Sequence, residues 1–167
     1  MHNPFRVNIG FIVHEEVGDS HDFPFQFDRV RIADDLELDR FTAAVHVGRT
    51  AQGLLLTGEC SARTVVECVR CLKPFWQPVQ WTMSEVYAFS EKSTSESGLT
   101  IPEDFQIDLA PLLREYALLE IPIKPICRPR CRGLCPVCGQ DLNIRDCGHQ
   151  PDTGTSPFAA LRDFLAK

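Results

Sequence analysis

Two cysteine groups constrain this chain more than anything else in it. Residues 127–149 read CRPRCRGLCPVCGQDLNIRDCGH, which is five cysteines and one histidine in 23 residues. Far upstream, Cys68-Val69-Arg70-Cys71 is a second C-x-x-C pair. A C-x-x-C turn aims two thiolates at one ion, and a glycine after the second cysteine lets the backbone fold back around the sulfurs. Cys135-Pro136-Val137-Cys138-Gly139 meets both conditions, and Cys68-x2-Cys71-Leu72 meets all but the glycine. Whatever the rest of the chain does, it must bring such turns to their partners.

The N-terminus, MHNPFRVNIGFIVHEE, lacks a basic region followed by a long apolar run, so no signal peptide is expected. No apolar stretch approaches the ~18 residues of a membrane span. A cytoplasmic, reducing location follows as the expectation, and there clustered cysteines serve metals more often than disulfides. Four disulfides are the alternative for an exported chain.

Zinc takes four thiolate or imidazole ligands in a tetrahedron. Cys68, Cys71, Cys127, Cys131, Cys135, Cys138, Cys147 and His149 make eight candidates, enough for two sites, with Cys60 left over. Keeping near neighbours together gives Cys68, Cys71, Cys127 and Cys131 for one ion, and Cys135, Cys138, Cys147 and His149 for the other. The first set would clamp distant parts of the chain across residues 72–126 and stabilise the fold on metal binding. A rival partition joins Cys68/Cys71 with Cys135/Cys138 in one ribbon, leaving one or two zinc ions open. Cys60, in a strand pattern, reads as a small core residue. His14, His21 and His46 read as surface or satisfied strand positions.

The remaining pattern is α+β. Residues 5–13 read as a strand. Residues 14–22 read as a loop, and Phe23, Phe25 and Phe27 as a short strand that Pro24 places at an edge. Residues 41–49 and 54–60 flank a turn in which Gly53 supplies permissive backbone. Residues 61–68 alternate, with Ala62, Thr64, Val66 and Cys68 on one face. After the Cys68/Cys71 turn, Trp81, Met83, Glu85, Tyr87 and Phe89 alternate again. Connections this short require an antiparallel meander. Residues 90–107 are expected to be a mobile loop. Asp108 would cap one central helix over 109–120, stopped by Pro122 and Pro125. Residues 108–126 then comprise helix and extended linker, and 127–167 the zinc-binding segment with a short terminal helix at 157–165 begun by Pro157. The strands of 1–89 and these parts are expected to form one integrated domain.

The net charge is −6, but residues 1–120 carry 10 basic and 19 acidic side chains, whereas residues 121–150 carry 5 and 2. Lys124, Arg128, Arg130 and Arg132, with Arg145 nearby, form a candidate nucleic-acid-binding surface on the cysteine-rich segment. Ordinary solvated charges, or partners for the acidic sheet, are the plainer account of the same residues. Catalysis is not expected, because thiolate-rich sets are normally closed, whereas a catalytic zinc keeps an open position.

Several stretches resemble, in order, the YceD family of bacterial and plastid large ribosomal RNA subunit accumulation proteins. Cys68-Val69-Arg70-Cys71-Leu72 resembles its C-x-R-C-L motif, and Ile107-Asp108-Leu109 the IDL opening its helix. Leu119-Glu120-Ile121-Pro122-Ile123-Lys124-Pro125-Ile126-Cys127 resembles its L-x-LP-x-x-P-x-C segment. Arg132-Gly133-Leu134-Cys135-Pro136-Val137-Cys138-Gly139, with Leu142-Asn143, resembles its knuckle, and Pro157-Phe158-Ala159-Ala160-Leu161 its terminal helix. His149 departs from the pattern, standing where many members carry a cysteine. The resemblance implies a role in making or keeping large-subunit ribosomal RNA. Its expected partner is pre-ribosomal large-subunit RNA, a ribosomal protein or an assembly factor, with no membrane and no small-molecule substrate. A zinc- or thiol-dependent enzyme, or a general zinc-ribbon adaptor for nucleic acid or protein, is the competing class.

Overall fold

The computed structural model describes residues 3–90 and 98–149. The element order is β1 (Arg6–Asn8), α1 (Gly10–Val13), β2 (Ser20–Ala33), β3 (Leu36–Arg49), β4 (Gly53–Glu67), β5 (Pro74–Ala88), β6 (Gln106–Asp108) and α2 (Ala110–Glu120). Strands β2 to β5 form an antiparallel meander in sequence order, and β1 pairs antiparallel with β6 as a separate two-stranded sheet. The expected terminal helix at 157–165 lies outside the described residues. No helix among them is long and apolar enough to cross a membrane.

The meander buries one face. Val45, Leu56, Val79, Trp81 and Met83 alternate inward against α2, which contributes Leu112, Leu113 and Ala117. Near the edge strand β2, Phe5 packs its ring against Phe27 at 5.6 Å and Phe41 at 5.7 Å between centroids. Each such fully buried side chain contributes about 1.5–3 kcal/mol through the area it removes from water. Polar ties then orient α2. The Tyr116 hydroxyl donates to Glu85 Oε1 at 2.8 Å, and the Arg114 guanidinium pairs with Asp35 in the turn between β2 and β3.

Several features differ from the sequence expectation. Residues 5–13 do not form one strand: β1 stops at Asn8, whose Oδ1 accepts the Gly10 N–H at 2.9 Å, and a single helical turn follows. Two helices, not one, are therefore present among the described residues. Strand β2 runs on to Ala33, because Val30 and Ile32 continue the apolar alternation beyond Phe27. In β3 the buried residues are even-numbered at Leu36 and Leu38 but odd-numbered from Phe41 onward. A bulge between Asp39 and Thr42, with Arg40 at φ +51°, absorbs the change, so both sets reach one core.

Gly53 opens β4 as expected, but for a different reason. A Cβ there would lie 2.1 Å from the Tyr87 carbonyl oxygen, so the position requires close approach of β5. Asp108 likewise ends β6 while its Oδ1 accepts the Ala110 N–H at 2.9 Å, which starts α2 one residue later than expected.

Candidate metal centre

Cys68 to Lys73 are the tip of the β4–β5 hairpin, directly beyond the last paired residues, Glu67 and Pro74. The chain folds back so that the Leu72 N–H donates to the Cys68 carbonyl at 2.9 Å and the Cys68 N–H to the Lys73 carbonyl at 3.0 Å. Cys135 to Gln140 repeat this turn. The Gly139 N–H donates to the Cys135 carbonyl at 2.9 Å and the Cys135 N–H to the Gln140 carbonyl at 2.8 Å. An antiparallel bridge, Leu134 to Asp141, flanks it where the first tip has its strands. The fifth residue of each turn is left-handed: Leu72 at φ +57° and Gly139 at φ +71°. Glycine adopts that backbone freely, whereas for leucine it costs roughly 1–2 kcal/mol.

The turns gather two sets of donor atoms, Cys68/Cys71/Cys127/Cys131 and Cys135/Cys138/Cys147/His149, each with its atoms within 4.8 Å of one another. The structure does not bring Cys68 and Cys71 together with Cys135 and Cys138 in one set. In the first, Cys68 Sγ lies 3.9 Å from Cys131 Sγ and Cys71 Sγ 3.8 Å from Cys127 Sγ. In the second, Cys135 Sγ lies 3.9 Å from His149 Nδ1. All eight cysteines of the chain are free thiols, and these separations are far beyond the ~2.05 Å of a disulfide. A tetrahedron with metal–sulfur bonds of ~2.3 Å has sulfur–sulfur edges of about 3.8 Å. Each set could hold one metal ion.

Their surroundings differ. Cys68, Cys71 and Cys131 are buried and form a small cluster with Phe75 and Cys127. In the second set only Cys135 is buried, and Cys138 and His149 are exposed. Backbone N–H groups aimed at sulfur favour the thiolate. The Cys68 thiol is lowered to about 6, chiefly by the backbone N–H of Cys127, and the Cys135 thiol to about 6, chiefly by that of Cys138. Burial pushes Cys127 up to about 12, reinforced by the sulfurs around it. Outside both sets, burial also raises Cys60 to about 12, in keeping with an inert core thiol.

A seam of polar contacts joins the two turns. The Leu134 N–H donates to the Arg70 carbonyl at 3.0 Å, and Arg70 Nη1 donates to the Cys131 carbonyl at 2.9 Å. Lys73 Nζ sits 2.6 Å from Asp141 Oδ2, which with the Asn143 N–H holds Asp141 down to about 2. Asn143 Nδ2 approaches Cys131 Sγ at 3.5 Å, while its Oδ1 accepts the Arg132 N–H at 2.8 Å. Gly133, at φ +75°, lies so close that a Cβ would meet the Arg70 carbonyl oxygen at 2.9 Å. Sequence reasoning gave Arg70, Lys73, Asp141 and Asn143 no role. The C-x-x-C spacing points to sulfur ligands but carries no signal for what packs beside them.

The basic residues of this end are only partly free. Arg128 donates to Asn143 Oδ1 at 2.8 Å, a neutral acceptor that leaves its charge uncompensated. Arg132 is paired with Asp146 at 2.8 Å. Lys124 and Arg130 are exposed and make no ion pair among the described residues.

The profile of the family described as large ribosomal RNA subunit accumulation protein YceD matches residues 56–165, which includes both donor sets. An uncharacterized protein of Mycobacterium tuberculosis is 35% identical over 127 residues, covering 72% of this chain and 60% of its own length. A Mycobacterium leprae counterpart is 33% identical over 126 residues, covering 73% and 58%. The chain thus spans about 60% of the length of these relatives. The chloroplastic large ribosomal RNA subunit accumulation protein YCED homolog 1 of Arabidopsis thaliana is 42% identical over 67 residues, covering 38% of this chain and 21% of its own. No solved structure matches.

Proposed function

Since the chain belongs to the YceD family of large ribosomal RNA subunit accumulation proteins, we propose that it supports accumulation of that RNA as a non-enzymatic factor with structural zinc. The observation that carries the reading is the joint at the hairpin tip. One four-donor set joins the hairpin tip to a basic segment and a second lies within that segment, in an otherwise acidic protein. Zinc suits the donors, being at home in all-thiolate and Cys3His tetrahedra. Cys68, Cys71, Cys127 and Cys131 would hold one ion, and Cys135, Cys138, Cys147 and His149 the other. Bound there, zinc supplies cross-links and no reaction step. Lys124, Arg128 and Arg130 would face ribosomal RNA phosphates, with Arg132 contributing less because Asp146 offsets its charge.

The test is depletion of the protein in its native cell, followed by separation of ribosomal particles on a density gradient. The expected result is a deficit of large subunits and of their RNA. Normal large-subunit levels would sink the proposal. Metal analysis addresses the enzyme alternative: two zinc ions per chain with the cluster thiols protected from alkylation is the expected outcome. One ion and a rapidly alkylated Cys68 or Cys71 would favour thiol chemistry.

A further inference from the structure

The two donor sets differ in what shields them. In the first, Cys68, Cys71 and Cys131 are buried, Phe75 packs against them, and only Cys127 is half-buried. In the second, Cys135 alone is buried; Cys147 is half-buried, and Cys138 and His149 are exposed. Among the described residues, no donor of the second set belongs to a hydrophobic cluster. Val137, between Cys135 and Cys138, is itself 63% exposed and gives them little cover. The second set also has a loose member. Cys135 is fixed at both its N–H and its carbonyl within the turn. Cys147 lies outside every helix and strand, beside Gly148 at φ +73°, and its backbone bonds no other backbone group among the described residues.

Resting on the reading that both sets hold zinc, we infer that Cys138 is a site of oxidation by hydrogen peroxide, and that its oxidation empties the second set while the first keeps its ion. A coordinating thiol is deprotonated outright, and oxidation follows thiolate character and access together. The seven sulfurs of the two sets share the first condition, but Cys138 alone is exposed. Coordination slows alkylation, yet peroxide is small enough to reach a coordinated sulfur whose outer side is open. The Cys138 thiolate would attack one peroxide oxygen; the O–O bond breaks, hydroxide leaves and a sulfenic acid remains. The Cys147 thiolate then attacks that sulfur, forming the S–S bond and displacing a second hydroxide. Two electrons pass from the sulfurs to peroxide, each hydroxide takes a proton from solvent, and zinc keeps its charge. All donor atoms of the set lie within 4.8 Å of one another, so reaching the ~2.05 Å of a disulfide takes a movement of less than about 3 Å. Cys135 and His149 then remain, two ligands where zinc takes four, and the ion leaves. Reducing the disulfide would restore the set. In the first set the same course is obstructed. Cys127, its most accessible sulfur, faces Cys71 at 3.8 Å, but Cys71 sits in the hydrogen-bonded hairpin tip, and the Val69 N–H ties the Cys127 segment to that tip through the Pro125 carbonyl at 2.9 Å.

The test uses the full, zinc-loaded chain. Its metal is counted, hydrogen peroxide is added with a chromophoric chelator present, and zinc released above the peroxide-free baseline is followed by absorbance. One ion per chain is expected in a fast phase, with the other leaving about tenfold more slowly or not at all. Mass mapping of the product should join Cys138 to Cys147, and dithiothreitol with zinc should restore two ions. Cys138→His keeps a zinc ligand but removes the attacked sulfur, so its fast phase should vanish, whereas Cys127→His should keep the fast phase. Release of both ions at one rate, or a disulfide within the first set, overturns the inference and leaves structural zinc standing. A fast phase that persists in Cys138→His overturns the assignment of Cys138. Fewer than two ions before peroxide is added overturns the two-zinc reading itself, and the inference with it.

Discussion

Replacing Cys71 by alanine tests whether the first donor set is a clamp on the whole fold. Cys71 and Cys127, whose sulfurs lie 3.8 Å apart, close a loop of 57 residues, counted as 127 − 71 + 1. By the chain-entropy relation for a covalent cross-link, closing a loop of that size disfavours the unfolded chain by about 4 kcal/mol. Metal coordination is reversible, so this is a ceiling. For a chain of this size each kcal/mol moves the melting temperature by about 2–4 °C, giving a fall of up to roughly 8–16 °C. The second set spans only 15 residues, 149 − 135 + 1, and none of its donors lies on the hairpin tip of the meander. Cys138→Ala should therefore lose one metal ion and move the sheet transition by less than about 3 °C. The assay is far-ultraviolet circular dichroism during heating, with metal counted on the same samples. Equal shifts for the two variants, or none for Cys71→Ala, would refute the clamp.

Other expectations follow from the seam and the sheet. Gly133→Ala pushes a methyl group against the Arg70 carbonyl at a left-handed position, so it should cost about 1–2 kcal/mol and speed metal release to a chelator. Retention of wild-type release rates would mean that the turns are not held in register there. Acid should weaken the sheet through Asp35 and Asp39, whose carboxyls the Arg114 and Arg63 guanidinium groups hold below the usual 3.8. A depressed folded pKa gives stability that is present above 3.8 and lost as pH falls through the lower folded value. Urea midpoints of Asp39→Asn should accordingly fall less steeply than wild type below pH 4, and parallel curves would dismiss the Arg63 pair as a contributor.

The donor sets were legible because their signal is chemical and local. Cys-x-x-Cys spacing implies a turn whatever surrounds it, and of the two partitions left open the one that keeps near neighbours together is the one the structure gathers. The meander runs at 41–49, 54–68 and from Trp81 were legible through period-two alternation, which needs no knowledge of partners, whereas the first half of β5, from Pro74, was not read as strand. Legibility failed where a long-range pairing decided the outcome. Strand β1 is short because its partner, β6, supplies only three residues some 100 positions away. The bulge at Arg40 inverts the alternation that strand reading relies on. Leu72 is the instructive case: its side chain argues against a left-handed turn, yet the demand that two sulfurs face inward overrides that preference.

The far-apart sequence origins of the first donor set also impose an order in time. Cys68 and Cys71 leave the ribosome 60 residues ahead of Cys131, counted as 131 − 71. At roughly 5–20 residues per second that is about 3–12 seconds. During synthesis the β4–β5 hairpin therefore carries a bare dithiol at its tip, open to oxidants and to competing metals. The second set waits less, since His149 follows Cys138 by 11 residues, counted as 149 − 138, or about 0.6–2 seconds at the same rate. Loading of a metal at the first set would thus leave its first thiols waiting about five times longer than at the second.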